Sequence, residues 1–402
     1  MSLLKDFSWP TNTFNSDDHT MFCKCIEENR SSFVERDIFL FGAGIRGCLF
    51  LSFCQKKEIP VTGIVDNDKN KQGGTILSSY PIFSLQDVLT RFPNAFFIIS
   101  VEISDSIIKQ LIGAGKMMGR DFFSVPPMLY KSFIHSFYTP QARRIFLGDC
   151  LFSTVGMSDT DMTSLGALLL EQLGSDIYKI LSIHGMPMHT FYHMLDLQIK
   201  MKYSIDLVIL AVNTVMFSGK KGQLPRAQHT PLLKEIQGQL PFYDSEFDDY
   251  IKLTEERMRR FRTDAFVSNA KTATSHNNEN IVRLRTKQNY IYELHPDNES
   301  VIFLKRFIAL CNVAGIRLIL FFPPINYQHG ENILGEQFTR QCKLNMKKLK
   351  EALLGGLYET IDMSFSLESD YFAATDTINE ITNYEGRLRE RDTICEYLKI
   401  HS

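Results

Sequence analysis

The sequence predicts an α/β protein built from two parallel-sheet domains in tandem, and three observations carry this prediction. Short apolar runs of strand length alternate with segments of helical periodicity in the first third of the chain. A glycine-rich turn, Gly42 to Gly47, follows the first of these runs. The alternation starts again at Arg144, after a break at Pro126 and Pro127. A chain of 402 residues has room for about two or three domains.

The composition excludes several classes of protein. Hydrophobic residues make up 44% of the chain and charged residues 22%, so the chain is not mostly disordered. Because 44 Lys and Arg nearly balance 46 Asp and Glu, no global field is present to hold a polyanion, and we expect no nucleic-acid partner. The eight cysteines form no C-x-x-C pairs, which argues against a zinc ribbon or a disulfide framework, so we expect no metal site.

The expected location of the protein follows from two further features of the sequence. Residues Met1–Asp18 are polar and lack the apolar segment of a secretory signal. No window of the chain approaches the roughly 18 to 20 apolar residues that a membrane span needs. We therefore expect a cytoplasmic protein without a membrane span, and the sequence gives no indication of an oligomeric state.

The first domain is predicted at residues 1–125, followed by a linker at residues 126–143. Its predicted elements in chain order are a strand (Asp37–Phe41), a helix from residue 45 to about 57, a strand (Val61–Val65), a helix (Ser84–Arg91) and a strand (Phe96–Val101). The two consecutive prolines after this series cannot continue either kind of element, so the domain is expected to end there.

The turn after the first strand has the spacing G-x-G-x-x-G, formed by Gly42, Gly44 and Gly47. Glycines let the backbone approach a phosphate, and the following helix offers unpaired N–H groups and the positive end of its dipole. Asp66 ends the second strand and can accept hydrogen bonds from a ribose. This context predicts a Rossmann-like domain that binds a nucleotide at these four residues. In the alternative interpretation, the glycines only allow the helix to pack closely on the strand, and nothing binds.

The segments around this turn add a resemblance. Ile64–Asp68, Lys71–Gly73 and Pro81–Ile82 resemble parts of the small Rossmann-like domain of bacterial sugar-modifying proteins, including the nucleotide-sugar-binding part of some sugar acetyltransferases. The resemblance covers about Asp37 to Phe123. It implies that the ligand is a nucleotide or a nucleotide-sugar and that no cofactor is required.

The second domain is predicted at residues 144–402. Its predicted elements are a strand (Ile145–Leu147), a helix (Thr160–Leu173) and three further strands (Ile177–Ile183, Leu207–Val212 and Arg317–Phe322). A polar section from about residue 218 to 300 does not fit the alternation. We interpret it as a partly helical insertion over one end of the second sheet, where α/β folds accept long insertions.

Four short blocks of this domain follow one another in a recognisable order. A Gly-Asp-Cys turn ending at Cys150 directly follows a strand, and such a sharp turn exposes a side chain beside unpaired N–H groups. Gly185 and Asn213 follow the next two strands, and the stretch Asp376–Arg387 precedes the last helix. Together, these blocks resemble those of the SGNH (GDSL-type) hydrolase superfamily over most of the second domain outside the insertion.

The resemblance implies a flavodoxin-like sheet and acyl-ester chemistry. It makes Cys150 the nucleophile, with an oxyanion held by the backbone N–H groups of Cys150 and Gly185 and by the side chain of Asn213. Asp376 would orient the catalytic base. Two alternatives stay open at this point: the first block as a plain tight turn, and Asn213 as a helix cap or buried turn residue.

The chain departs from the superfamily pattern at two catalytic positions. Cys150 stands where serine is usual, and a thiol is a good nucleophile only when its pKa is lowered. The usual histidine is missing, because the spacing from Gly386 puts Ile381 at its position and the spacing from Asp376 puts Asn379 there. Another histidine would have to serve in a geometry that the superfamily does not use; the candidates are His184, His189, His295 and His329.

Three functional hypotheses follow. The leading one is acyl-ester hydrolysis or acyl transfer on a small-molecule or glycan substrate linked to a sugar, in bacterial surface-glycan metabolism, with a nucleotide or nucleotide-sugar held by the first domain. In the alternative, the second domain has lost catalysis and is a binding or scaffold module. The third, an NAD(P)-dependent oxidoreductase, is permitted by the glycine turn but lacks a catalytic constellation such as Tyr-x-x-x-Lys.

Overall fold

The fold is given by a computed structural model, which describes residues 13–76, 79–101, 104–125, 131–156, 159, 161, 163–183, 185–218, 229–256, 278–373 and 381–401. The chain divides into two compact units, Met1–Leu129 and Tyr130–Ser402. Each unit holds a largely or wholly parallel sheet flanked by helices. This confirms the predicted α/β class with two Rossmann-like or flavodoxin-like domains.

The first unit contains a six-stranded sheet in the order β4-β5-β3-β2-β6-β7. Its strands are β1 (Thr13–Asn15, outside this sheet), β2 (Ile38–Phe41), β3 (Val61–Val65), β4 (Thr75–Ile76), β5 (Tyr80–Phe83), β6 (Phe96–Ile99) and β7 (Phe122–Ser124). Its helices are α1 (Ser16–Phe33), α2 (Ile45–Lys56), α3 (Leu85–Arg91) and α4 (Asp105–Gly113). Only β4 runs antiparallel to its neighbour. The central strand β2 is buried on both faces, as a parallel strand between helix layers must be.

The order of the strands locates the crevice of the first unit. The chain moves from β2 to β3 and β5 on one side and then crosses to β6 on the other side of β2. The carboxyl ends of β2 and β6 therefore flank the point where the strand order reverses, which is where open α/β sheets bind ligands. The glycine-rich turn directly follows β2 and so lies at this point.

The second unit contains a five-stranded sheet in the order β10-β8-β11-β12-β13. Its strands are β8 (Arg144–Gly148), β9 (Thr154–Gly156, outside this sheet), β10 (Tyr178–Ser182), β11 (Leu207–Ala211), β12 (Arg317–Phe322) and β13 (Glu359–Asp362). All pairs in the sheet are parallel. When these five strands are numbered 1 to 5 along the chain, their order in the sheet is 2-1-3-4-5, which is the flavodoxin-like order. The direction in which strands are added reverses between β8 and β11.

Ten α-helices are found in the described part of the second unit. They are α5 (Lys131–Phe137), α6 (Leu165–Leu173), α7 (Met188–Lys200), α8 (His229–Gln239), α9 (residues 245–256), α10 (Asn278–Tyr290), α11 (Glu299–Ala314), α12 (Tyr327–Leu334), α13 (Gln337–Ala352) and α14 (Tyr384–Ile400). Helices α6 and α14 bury apolar side chains against the sheet, among them Leu165, Leu169 and Ile394. Helices α7 and α11 pack against each other.

The structure differs from the sequence-based expectation in a few elements. The helix predicted from Thr160 begins at Leu165, because the Ser164 hydroxyl caps it by accepting a hydrogen bond from the Ala167 N–H at 3.2 Å. The strands β7 and β13 were not expected. The section from about residue 218 to 300 contains the helices α8, α9 and α10 in its described parts, and α8 buries Leu232, Leu233 and Ile236 in the domain.

Candidate functional site

The turn after β8 carries the candidate nucleophile. Asp149 is buried, and its Oδ1 accepts a hydrogen bond from the Leu151 N–H at 3.2 Å, which caps the short helical turn Cys150–Phe152. Cys150 is half-buried. By capping the turn, the Asp149 carboxylate restrains the backbone of Cys150. The Gly-Asp-Cys segment is therefore a tight turn, as the plain alternative predicts, and it also presents a partly accessible thiol.

Asn213 lies at the other side of the reversal point, directly after β11 and Val212. Its Oδ1 accepts a hydrogen bond from the Val215 N–H at 2.9 Å, so one end of the amide is a cap, as the alternative interpretation has it. Its Nδ2 donates to Asp149 Oδ2 at 3.1 Å. The side chain is 5% exposed. An amide nitrogen carries two N–H groups, so one remains beyond the bond to Asp149.

The Asp149 carboxylate thus joins two of the predicted site residues. One oxygen holds the turn that carries Cys150, and the other holds the amide of Asn213. Sequence reasoning did not assign this role to Asp149. The signal was present, because both residues follow adjacent parallel strands and the carboxyl ends of such strands meet at one edge of the sheet.

The second block contributes a hydroxyl and a glycine. Ser182, the last residue of β10, donates its hydroxyl to the Asp149 carbonyl oxygen, and it lies 3.2 Å from the Ser153 Oγ. Gly185 has φ of +69°, a left-handed conformation that glycine adopts without strain. His184 lies outside the described residues. Ser182 is a second contact to the nucleophile turn that the sequence did not predict.

The last block is described only in part. Asp376 and Asn379 lie outside the described residues, so their predicted roles stay predictions. Ile381 is buried at 5% exposure, and its carbonyl accepts a hydrogen bond from the Ala373 N–H at 2.9 Å. The residue that the spacing from Gly386 puts at the histidine position is therefore part of the apolar interior.

Beyond that position, a buried guanidinium organises the start of α14. Arg387 is 1% exposed, and its Nη1 lies 2.6 Å from Asp159 Oδ2. The remaining donors bond to three backbone carbonyls, those of Asp161, Thr163 and Thr382. Such a fork of planar donors suits several acceptors at fixed angles. Arg387 therefore ties Asp159, Asp161 and Thr163 to the start of α14.

Three of the candidate replacement histidines are described. His189 is buried at the start of α7, with its ring 3.9 Å from that of Phe303 and its Nε2 3.5 Å from Glu299 Oε1. His295 is exposed between α10 and α11. The backbone N–H of His329 donates to Asn326 Oδ1 at 3.2 Å, in the first turn of α12. None of these observations assigns a base to Cys150.

In the first unit, the Asp66 carboxylate bonds to the glycine-rich turn itself. Its Oδ2 accepts a hydrogen bond from the Ala43 N–H at 2.7 Å and lies 3.3 Å from Lys71 Nζ. Its Oδ1 accepts a hydrogen bond from the Asp68 N–H at 2.8 Å. Asp66 therefore stabilises the turn, and a ribose would meet a carboxylate that already accepts bonds from the protein.

The three glycines of the turn have different surroundings. Gly42 has φ of +118°, and a Cβ there would overlap the Val101 side chain. A Cβ at Gly47 would overlap the carbonyl oxygen of Gly42. At Gly44, no described atom lies within 4 Å of such a Cβ. Packing thus requires Gly42 and Gly47, whereas the backbone at Gly44 is the part of the turn that a ligand could approach.

Comparison with known proteins adds no assignment: the chain matches no model of a protein family, and no curated protein is significantly similar to it. Within the described part of the chain, no three His, Cys, Asp or Glu side chains are grouped so that they could hold a metal ion. None of the described helices has both the length and the apolar character needed to cross a membrane.

Proposed function

We propose that the second domain carries out acyl-ester hydrolysis or acyl transfer on a sugar-linked substrate, with Cys150 as the nucleophile. The observation that carries the proposal is the hydrogen bond from Asn213 Nδ2 to Asp149 Oδ2, beside Cys150 and at the reversal point of the sheet. This bond ties the amide of Asn213 to the residue that precedes Cys150, at the edge where such sheets bind ligands, and so supports a shared role for the two residues. The resemblance to SGNH hydrolases and the flavodoxin-like strand order support the same reading.

The proposed reaction has two steps. The Cys150 thiolate attacks the ester carbonyl carbon, and the resulting oxyanion is stabilised by the N–H groups of Cys150 and Gly185 and by Asn213 Nδ2. The intermediate expels the alcohol, which takes up the proton that the thiol gave to solvent, and leaves a thioester. Water or an acceptor hydroxyl then attacks the thioester, loses its proton to solvent and releases the thiolate. Asp376 is proposed to orient any group that assists these proton transfers.

Replacement of serine by cysteine makes the missing histidine less costly. A serine hydroxyl needs a base to become a nucleophile, whereas a thiol of ordinary pKa is already a few per cent thiolate near pH 7. We therefore expect slow turnover that rises with pH as the thiol ionises. The first domain is proposed to hold a nucleotide or nucleotide-sugar, with the backbone of Gly44 as the point of approach.

The test combines thiol labelling with ester turnover. Under the proposal, Cys150 is expected to react with iodoacetamide faster than a model thiol between pH 6 and 9, because N–H groups that hold an oxyanion also stabilise a thiolate. Turnover of p-nitrophenyl acetate is expected to disappear in Cys150→Ala. Cys23→Ala is the matched control, since Cys23 is also half-buried but lies in the first unit. Equal turnover by Cys150→Ala and the wild type contradicts the proposal.

A second candidate function, a binding or scaffold module without catalysis, is favoured by one observation. Ile381 is buried where the superfamily spacing calls for the catalytic histidine. In that case Cys150 reacts no faster than the model thiol, and glycan binding is independent of Cys150. A fluorescence titration with acetylated and deacetylated oligosaccharides would measure such binding in the wild type and in Cys150→Ala.

Ligand binding by the first domain is tested separately by thermal shift. UDP-sugars, CDP-linked alcohols and NAD are compared, and a UDP-sugar is expected to raise the melting temperature of the wild type. Gly44→Ala should remove this shift, because a methyl group would occupy the approach to the backbone. Gly113→Ala is the control, since a Cβ at Gly113 also meets no described atom within 4 Å. No shift with any of the ligands would favour the packing interpretation of the glycines.

A further inference from the structure

We infer that Tyr292, Asn298 and Ser300 are positioning residues that hold Asn213 in place through the turn Thr214–Phe217. The inference rests on the proposed function, in which Asn213 donates to the oxyanion. None of the three residues belongs to a block of the superfamily resemblance. All three come from the section of the chain that the sequence presented as an insertion, or from its end.

The turn Thr214–Phe217 follows Asn213 directly and has few bonds of its own. The Met216 N–H donates to the Asn213 carbonyl at 3.0 Å, and the Ser218 N–H and hydroxyl donate to the Val215 carbonyl. The Thr214 carbonyl already belongs to the i→i+3 bonding pattern of this short helix, whereas no described backbone N–H donates to the carbonyls of Met216 and Phe217. Unpaired buried carbonyls destabilise a turn, so these groups need donors from elsewhere.

Those donors come from about 80 residues further along the chain. The Tyr292 hydroxyl donates to the Thr214 carbonyl at 2.6 Å. The Ser300 hydroxyl donates to the Met216 carbonyl at 2.8 Å, and Asn298 Nδ2 donates to the Phe217 carbonyl at 3.0 Å. These three hydrogen bonds restrict movement of the turn backbone. Asn213 directly precedes the turn, so its backbone is restricted with it.

The three donors are themselves fixed. Asn298 caps α11, because its Oδ1 accepts a hydrogen bond from the Ser300 N–H at 3.0 Å, and Ser300 is fully buried. The carbonyl of Tyr292 accepts bonds from two side chains of α13, Gln341 at 2.7 Å and Asn345 at 2.9 Å. The turn is therefore linked to α11 through Asn298 and Ser300, and to α13 through Tyr292.

The consequence for the site is a fixed amide. The Val215 N–H holds the oxygen of the Asn213 side chain, and Asp149 holds its nitrogen. The attached turn restrains the backbone that follows. A donor to an oxyanion is effective only when it stays within about half an ångström of its position. Tyr292, Asn298 and Ser300, through their contacts with α11 and α13, thus determine how well the Asn213 amide is preorganised.

The experiment compares Tyr292→Phe and Ser300→Ala, singly and together, and Asn298→Asp, which keeps the cap on α11 but loses the donor to Phe217. The matched control is Tyr138→Phe, because the Tyr138 hydroxyl also donates to a backbone carbonyl at 2.6 Å, that of Ile236. Two readouts are taken from the full-length protein: amide hydrogen exchange of peptides covering residues 211–218, and kcat and KM for p-nitrophenyl acetate.

The double variant is expected to speed exchange of the Val215 amide about fivefold or more, since two of the bonds that hold the turn are gone. It should lower kcat about tenfold with KM unchanged, a part of the roughly 100-fold or larger loss that follows removal of an oxyanion donor. The iodoacetamide reactivity of Cys150 should stay as in the wild type. Tyr138→Phe should change neither readout.

Two failures are distinguishable. If exchange of residues 211–218 is the same in the double variant and the wild type, the three residues do not hold the turn and the inference is overturned. If kcat is unchanged while exchange rises, Asn213 does not need the turn, and the inference is again overturned. If the wild type shows no Cys150-dependent turnover, the proposed function fails, while faster exchange in the double variant alone still supports the attachment of Asn213.

Discussion

At the scale of single residues, the buried charge of Arg387 is bonded on all sides. Its partner Asp159 is 4% exposed at the side chain, and three backbone carbonyls take the remaining donors. An ion pair at this depth is costly to desolvate, so the net gain from forming it is small. Removing one member, however, takes the opposite charge away from a group that stays buried, and this determines the effect of a substitution on stability.

Arg387→Ala is expected to lower the free energy of unfolding by about 3 to 5 kcal/mol, because the buried Asp159 carboxylate would lose the opposite charge of the guanidinium. Arg387→Lys should recover only part of the loss, since one ammonium cannot reach several acceptors in a plane. Urea unfolding followed by circular dichroism measures both. Arg389→Ala on the same helix is the control, because Arg389 is exposed and its substitution should change the free energy little.

Glu390 is a second buried acid of α14, and its behaviour with pH follows from its surroundings. Burial raises the pKa of Glu390 from 4.5 to about 8, against the smaller opposing effects of Thr382 and Arg387. The Thr382 hydroxyl donates to Glu390 Oε1 at 2.5 Å. The carboxyl is therefore neutral in the folded protein at pH 7, while the unfolded chain ionises near its ordinary pKa.

This difference predicts how the wild type and Glu390→Gln diverge. Between the two pKa values the folded protein keeps a proton on Glu390 that the unfolded chain has lost. The contribution of protonated Glu390 to stability is therefore complete below about pH 4.5 and is lost as pH rises to about 8. The free energy of unfolding of the wild type should therefore fall relative to that of Glu390→Gln across this range. Urea titrations at pH 5, 6, 7 and 8 test it, with exposed Glu396→Gln as the control. Parallel curves would contradict the burial argument.

At the scale of elements, the turn between β2 and α2 has tightly packed glycines, Gly42 and Gly47, on either side of Gly44, which is open to solvent. Gly47→Ala should destabilise the first unit by about 1 to 3 kcal/mol, because the added methyl overlaps the Gly42 carbonyl oxygen and the helix must move away. Gly44→Ala should change stability by no more than about 0.5 kcal/mol, since the methyl projects into open space. Urea unfolding of the two variants side by side compares them; equal losses would contradict the packing difference.

How far the sequence predicts an element depends on whether the determining contacts are local. The strands β2, β3, β6, β8, β10, β11 and β12 were predicted, because each is a mostly apolar run bounded by turn residues. The strands β1, β4, β5, β7, β9 and β13 were not, since they are short and none has more than two consecutive apolar residues. The start of α6 was misplaced by a few residues for lack of the Ser164 cap, which only backbone geometry reveals.

The same rule holds for the candidate site. The positions of Cys150, Asn213 and the glycines followed from motif spacing after strands. The hydrogen-bond partners of the polar side chains did not follow from that spacing. Asp149 bonds to Asn213, 64 residues away, and Asp66 bonds to Ala43, 23 residues away. Long-range partners depend on the register of neighbouring strands, and spacing along the chain does not encode that register.

At the scale of the whole molecule, each unit has a hydrophobic core of its own. Phe97 is fully buried in the cluster of the first unit, and Phe321 is fully buried in that of the second. Domains with separate cores unfold as separate cooperative units. Phe97→Ala, expected to cost about 3 to 5 kcal/mol, should therefore lower the urea midpoint of peptides from residues 38–124 only.

The matched variant Phe321→Ala should lower the midpoint of peptides from the second unit only. Hydrogen exchange with mass spectrometry resolves the two sets of peptides in one experiment. A shift of both sets by either variant would show that the units unfold together, contrary to the expectation from separate cores.

The attachment of the Thr214–Phe217 turn to Ser300 has a consequence for the nascent protein. Met216 and Ser300 are 84 residues apart, so the ribosome must add that length before the last of the three donors exists. At the usual 5 to 20 residues per second, this takes about 4 to 17 seconds. During that interval the half of the domain that carries Cys150 has already been translated. The bonds of the Thr214–Phe217 turn are completed only late in synthesis, so Cys150 is translated well before the surroundings of Asn213 are complete.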